Sequence, residues 1–132
     1  MKNKFHGFGQ EKLGNNQIYS GKFKNGEKDS YGKIVWPLLD AYFIGLFFRN
    51  NIDGEGLHVF GKQDMSKLFY IGMLQTNVYS GFGMLYFRDG SYYIGNFKDG
   101  KQHAFGIYKW SDGRSYEGYW WDGEKHGIGR FY

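Results

Sequence analysis

The chain has 132 residues, a length that suits one domain, and a formal net charge of +4. It contains 22 glycines, one proline and no cysteine, and 22% of its residues are aromatic. The lack of cysteine excludes disulfides, thiolate zinc sites and a cysteine nucleophile, and this aromatic content is foreign to disordered Gly-rich chains.

No apolar run approaches the roughly 20 residues needed to span a bilayer. The opening Met1–Gly7 lacks the apolar core of a signal peptide. The expectation is a cytoplasmic protein, neither secreted nor membrane-spanning. Residues 1–40 hold seven lysines against four acids, so most of the basic excess lies near the N-terminus.

In chain order, the first element is a half repeat over residues 1–18. It carries the pair Gly7 and Gly9, whose matching anchor would precede Met1. The first complete unit opens at Tyr19-Ser20-Gly21-Lys22-Phe23. It ends in Trp36-Pro37-Leu38-Leu39-Asp40, an apolar junction where other units have a polar Asp-Gly turn. Leu38 and Leu39 are expected either to fold back on the sheet or to meet a partner. The second unit opens at Phe43-Ile44-Gly45-Leu46-Phe47 and is followed by extra residues, Gly61 to Ser66. Three further units open at Tyr70-Ile71-Gly72-Met73-Leu74, Tyr93-Ile94-Gly95-Asn96-Phe97 and Tyr116-Glu117-Gly118-Tyr119-Trp120. Anchors at 19, 43, 70, 93 and 116 are spaced by 24, 27, 23 and 23 residues.

Each anchor is followed at offsets 11 and 13 by a glycine pair: Gly54 and Gly56, Gly81 and Gly83, Gly127 and Gly129. The pair is degraded to Ser30 and Gly32 in the first unit and to Ala104 and Gly106 in the fourth. Seven residues after each anchor stands Gly26, Asn50, Asn77, Gly100 or Gly123. Glycine and asparagine best tolerate positive φ, so each unit reads as a β-hairpin turning at that point. Arg49-Asn50 and Thr76-Asn77 are poorer turn pairs, for which a longer loop is expected. Counting back from a two-residue turn sets Tyr70 opposite Gly83, Tyr93 opposite Gly106 and Tyr116 opposite Gly129, with rings laid across bare backbone. Arg88-Asp89-Gly90-Ser91 and Ser111-Asp112-Gly113-Arg114 join successive hairpins.

This pattern resembles the MORN repeat: Y-x-G-x-F/W, a turn glycine, G-x-G, then Asp-Gly. The resemblance covers nearly the whole chain, read as a single array over residues 1–132. The predicted fold is all-β, an elongated single-layer antiparallel meander of consecutive hairpins. About eleven strands are expected, spanning roughly 50 Å at about 4.8 Å each. Residues i and i+2 of a strand share a face. Tyr19, Phe23, Phe43, Phe47, Tyr70, Leu74, Tyr93, Phe97, Tyr116 and Trp120 should therefore line one aromatic groove, the candidate partner-binding surface. The mean hydropathy of −0.62 implies that the opposite face is wet.

No catalytic constellation emerges. His6, His103 and His126 recur at one position of the unit, but corresponding positions lie two strands or about 9.5 Å apart. A metal needs ligands about 2 Å away, so these histidines cannot share one. His58 stands apart from them and reads as structural or exposed. Asp89, Asp112 and Asp122 read as turn formers. There is no phosphate-binding loop and no Ser-His-Asp arrangement. The aromatics sit at structural positions and the charge is mild, so nucleic acid is not expected. No enzyme activity, cofactor or metal is expected.

The resemblance implies a binding role, since MORN arrays accompany lipid kinases, junction proteins, methyltransferases, radial-spoke heads and protist cytoskeletal scaffolds. The first reading is a non-catalytic scaffold in a larger assembly, with a cytoskeletal or ciliary setting by analogy. Its partners would be other protein subunits or a second copy. The alternatives are a module binding acidic phospholipid through the N-terminal lysines, or a regulatory segment of a larger enzyme. The first and last strands carry no cap and are expected to pair with other chains.

Overall fold

The computed structural model describes residues 4–132. Eleven strands form one antiparallel sheet in sequence order, from β1 (Gly7–Lys12) to β11 (Glu124–Phe131). Between them run β2 (Ile18–Lys24), β3 (Glu27–Trp36), β4 (Ala41–Phe48), β5 (Asn51–Val59) and β6 (Lys67–Gln75). They are followed by β7 (Val78–Phe87), β8 (Tyr92–Lys98), β9 (Lys101–Lys109) and β10 (Ser115–Trp121). The described helical segments are single 3-10 turns at Gly14–Asn16 and Pro37–Leu39. This is the expected hairpin meander.

All five hairpins close with two residues at positive φ: Asn25-Gly26, Arg49-Asn50, Thr76-Asn77, Asp99-Gly100 and Asp122-Gly123. The longer loops expected at Arg49-Asn50 and Thr76-Asn77 are therefore not present. The asparagine side chains support these two turns. Asn50 Oδ1 accepts from the Lys28 amide at 2.9 Å, and Asn77 Oδ1 accepts from the Ile52 amide at 2.8 Å. Each bond ties a turn to the preceding hairpin.

The strand register differs by two residues from the expectation. Tyr93 pairs with Tyr108 rather than Gly106, Tyr70 with Leu85 rather than Gly83, and Tyr116 with Phe131 rather than Gly129. A bulge in every hairpin is the cause. In the fourth unit Gly95 pairs with Gly106 and Phe97 with Gln102, so Asn96 faces three residues, 103 to 105. The middle residue of each bulge has positive φ: Ser30, Gly54, Gly81, Ala104 and Gly127. The first glycine of G-x-G is thus the pivot of a bulge. A shift of two leaves every side chain on its expected face.

The pivot accounts for the two degraded pairs. Ala104 holds φ at 57°, a region that costs a β-carbon residue about 1–2 kcal/mol. Ala104→Gly should therefore stabilise the protein by about 1 kcal/mol after allowance for the greater freedom of the unfolded chain. The denaturation midpoint should rise at an unchanged denaturant slope. Gly81→Ala should do the reverse, because its methyl would meet only Met73, at an ordinary 3.6 Å. Equal midpoints for Ala104→Gly and the parent would contradict the strained pivot.

The second feature of the register is a continuous row of glycines. Gly9 pairs with Gly21, Gly21 with Gly32, Gly32 with Gly45, Gly45 with Gly56 and Gly56 with Gly72. The row runs on through Gly83, Gly95, Gly106, Gly118 and Gly129. Every strand contributes one member. Along the row the anchor side chains lie flat on the backbone, which lets a single layer build a core on one face.

The apolar junction is tied through its backbone rather than its side chains. The Lys62 amide donates to the Leu39 carbonyl at 2.6 Å. Leu38 does not fold back, since it is 71% exposed.

Candidate interaction surface

The ten anchor-face residues expected to line a groove do share one face. Tyr19, Phe23, Phe43, Phe47, Tyr70, Leu74, Tyr93, Phe97, Tyr116 and Trp120 form one cluster with Ile34, Phe60 and Leu85. Edge-to-face contacts link them within and between units: Tyr93 to Phe97 at 5.1 Å, Tyr93 to Trp120 at 5.3 Å and Tyr70 to Phe97 at 5.3 Å. Such pairs contribute about 0.5–1.5 kcal/mol each beyond area burial.

The anchor hydroxyl has its own acceptor. Tyr19, Tyr70, Tyr93 and Tyr116 each donate to the carbonyl three residues on, at 2.8, 2.7, 2.8 and 3.2 Å. That carbonyl belongs to the residue facing the bulge. Phe43 lacks the hydroxyl, so the second unit goes without this bond.

These ten side chains are only 0–6% exposed. They form the floor of the anchor face, and its border is built by the partly buried Trp36, Ile52, Tyr79, Phe87, Tyr108 and Trp110. A cleft of about 260 Å³ opens there, lined by Trp36, Ile52, His58, Val78 and Tyr79 among others.

His58 stands beside Tyr79 at this border, and nothing in the sequence pattern brings them together. His58 Nε2 lies 2.7 Å from Gln63 Oε1 and Nδ1 lies 2.8 Å from Tyr79 Oη. The amide oxygen can only accept, so Nε2 carries the proton and Tyr79 donates to Nδ1. The Tyr79 ring stacks on Tyr70 with centroids 3.8 Å apart. Gln63 comes from the extra residues after the second unit, so no repeat pattern could reveal the contact.

Burial sets the titration of this face. It lowers the His58 pKa below the usual 6.5, with Gln63 opposing and Lys67 adding to the shift. Burial pushes the Tyr93 phenol up to about 12 and raises Tyr70 and Tyr79 too. A depressed histidine contributes stability that is present above its unfolded pKa and lost as pH falls through the folded one. A raised tyrosine contributes stability that is present below its unfolded value of 10.0 and lost as pH rises. Thermal stability should therefore be level between about pH 6.5 and 10 and fall on both sides. His58→Gln should reduce the acid-side slope. An unchanged slope in that variant would exclude His58 as its source.

The opposite face is exposed to solvent, as expected, but it is apolar rather than polar. Ile44, Leu57, Ile71, Met84, Ile94 and Ile107 form one unbroken cross-strand row over β4 to β9. A parallel row stacks Phe69 on Tyr86 at 5.3 Å and Tyr86 on Tyr92 at 5.7 Å. Beside them Tyr31 is 68%, Ile71 49% and Phe82 60% exposed. These residues and Glu55 line a hollow of about 730 Å³. The whole-chain average hid this face because lysines, acids and turn residues outweighed it.

His6 accepts from the Asn25 amide at 3.2 Å, whereas His103 and His126 both lie against Trp121. Among the described residues no group of three or more His, Asp or Glu side chains is placed to hold a metal. Asp89 and Asp112 accept from the backbone amides of Ser91 and Arg114 at 2.8 and 3.0 Å, as turn formers do. No helix of the described residues is long and apolar enough to cross a membrane.

The fold and its surfaces define a repeat protein, a single-layer array of β-hairpin units. The MORN repeat model matches residues 19–37, 70–92, 93–113 and 116–132, more than half of the chain. The chain belongs to the MORN-repeat family. No curated protein matches it. MORN repeats are binding modules for proteins or membranes and are not typically catalytic.

Proposed function

We propose that this chain is a non-catalytic protein-binding scaffold, a structural subunit of a larger assembly. A partner segment lies along the anchor face. The ten anchor-face side chains form the floor beneath the segment, and the border residues make the contact. The observation that carries this reading is the aromatic border of Trp36, Tyr79, Phe87, Tyr108 and Trp110, which is only partly covered by the chain itself. Aromatic side chains of this kind dominate protein-binding energies. A cytoskeletal or ciliary setting rests on family analogy.

One observation favours membrane binding as a second reading. Lys12, Lys22, Lys24 and Lys33 share the face opposite the rings, by their pairing in β1 to β3. The 80% exposed Phe8 lies beside them. Basic residues beside an exposed ring suit an anionic lipid surface.

Capture of partners from the native source separates the two readings. Trp110→Ala with Tyr108→Ala should abolish capture, whereas Lys22→Ala with Lys24→Ala should leave it intact. The reverse ranking, together with salt-sensitive binding to phosphatidylserine vesicles, would favour the membrane reading and overturn the scaffold one.

A further inference from the structure

The apolar face over β4 to β9, opposite the rings, lies outside the anchor face assigned above and adjoins the lysines of the second reading, with Lys33 at its edge. We propose that it is a self-association surface, on which two copies of this chain pack face to face as a two-layer sandwich.

The first argument is area. The apolar rows cross six strands, about 29 Å at roughly 4.8 Å per strand. Along β4 they extend from Tyr42 to Phe48, about 20 Å at roughly 3.4 Å per residue. The whole face of these six strands, in which Glu55, Asn96 and Lys98 stand beside the apolar rows, is then about 600 Å² per copy, or about 1,200 Å² in total, the lower bound for a stable interface. A face of that size is rarely left open on a monomer.

The second argument is charge. The row of six aliphatic residues is flanked by Lys33 on β3 and by Glu117 on β10. Neither forms an ion pair among the described residues. A two-fold axis along the strand direction reverses the strand order of the second copy, so β3 lies over β10, β4 over β9, β5 over β8 and β6 over β7. Lys33 of each copy then meets Glu117 of the other. Ile71 meets Met84, Met73 meets Phe82, and Glu55, a carboxylate within the apolar area, meets Asn96. The other in-plane axis, along the row, would set Lys33 against Lys33 and Glu117 against Glu117. Like charges in apposition disfavour it. Two sheets packed in this way lie about 10 Å apart, a β-sandwich spacing.

The test uses the whole chain in sedimentation equilibrium at tens of micromolar. The parent should be a dimer that dissociates on dilution into the low micromolar range. Ile71→Glu should give a monomer with an unchanged circular dichroism spectrum, since Ile71 is about half exposed. Lys33→Glu alone and Glu117→Lys alone should each weaken the dimer about tenfold, and the double variant should restore it. Within one chain the two residues are seven strands or about 34 Å apart, so rescue can only arise between copies. A monomeric parent at these concentrations would overturn the proposal, as would a dimer indifferent to Ile71→Glu or a charge swap without rescue. If Ile71→Glu fails to fold, the swap alone decides. A parent that is monomeric but binds phosphatidylserine vesicles through this face would assign the face to lipid instead.

Discussion

Gly95→Ala is expected to destabilise the protein by at least about 3 kcal/mol, at the upper end of what an added methyl costs in a packed site. Gly95 is the member of the glycine row in β8. A β-carbon there would lie 2.5 Å from the Gly106 Cα, 2.7 Å from the Phe105 carbonyl oxygen and 2.8 Å from the Tyr93 hydroxyl. Two of these three are backbone atoms of the next strand. A rotamer change cannot relieve them, so β8 and β9 must separate. The φ of +159° at Gly95 adds a conformational cost to the close approach, so the loss should exceed that of a glycine with positive φ alone. Gly113→Ala is the control. Its φ is +97° but no atom lies within 4 Å of the added methyl, so only the conformational cost of about 1–2 kcal/mol applies. Denaturation midpoints of the two variants decide the matter. Equal losses would mean that the glycine row is not a contact line.

Tyr93→Ala should be as damaging, at about 3–5 kcal/mol, the range for removing a large buried ring. Tyr93 is fully buried, lies over Gly106, meets Phe97 and Trp120, and donates to the Asn96 carbonyl. Tyr93→Phe retains the ring and removes only the hydroxyl, so its loss should be about 1 kcal/mol. Phe43 already occupies the equivalent position without a hydroxyl, so an anchor can dispense with the hydroxyl but keeps the ring. Location is the more informative readout. In an array each unit contacts its neighbours, so stability is a sum of local contributions. Amide exchange in Tyr93→Ala should accelerate in β8 to β11 and stay near the parent rate in β2 to β4. Uniform acceleration over all eleven strands would instead indicate one cooperative core.

The amino-acid sequence by itself determined the architecture. Anchors recur near every 23 residues, a glycine or asparagine stands seven residues after each, and the rings alternate with period two. These are local constraints, set by backbone conformation and by which face a side chain takes. They specified hairpins, turn sites, the strand count and the shared face of Tyr19 through Trp120. Local reasoning could not place the bulge, because its pivot is Ser30 or Ala104 in two units, where no glycine signals positive φ. The tertiary structure alone decided the pairing that follows from it. Tyr93 lies over Gly106 while pairing with Tyr108, and the glycines align across all eleven strands. Tertiary structure also decided exposure. The rings that looked like an open groove cover one another, because edge-to-face contacts join neighbouring units. The isoleucines of the opposite face are far apart in the chain and form no continuous apolar run. They become one apolar face only when six strands are laid side by side, since pairing adds residues that are 10 to 14 positions apart.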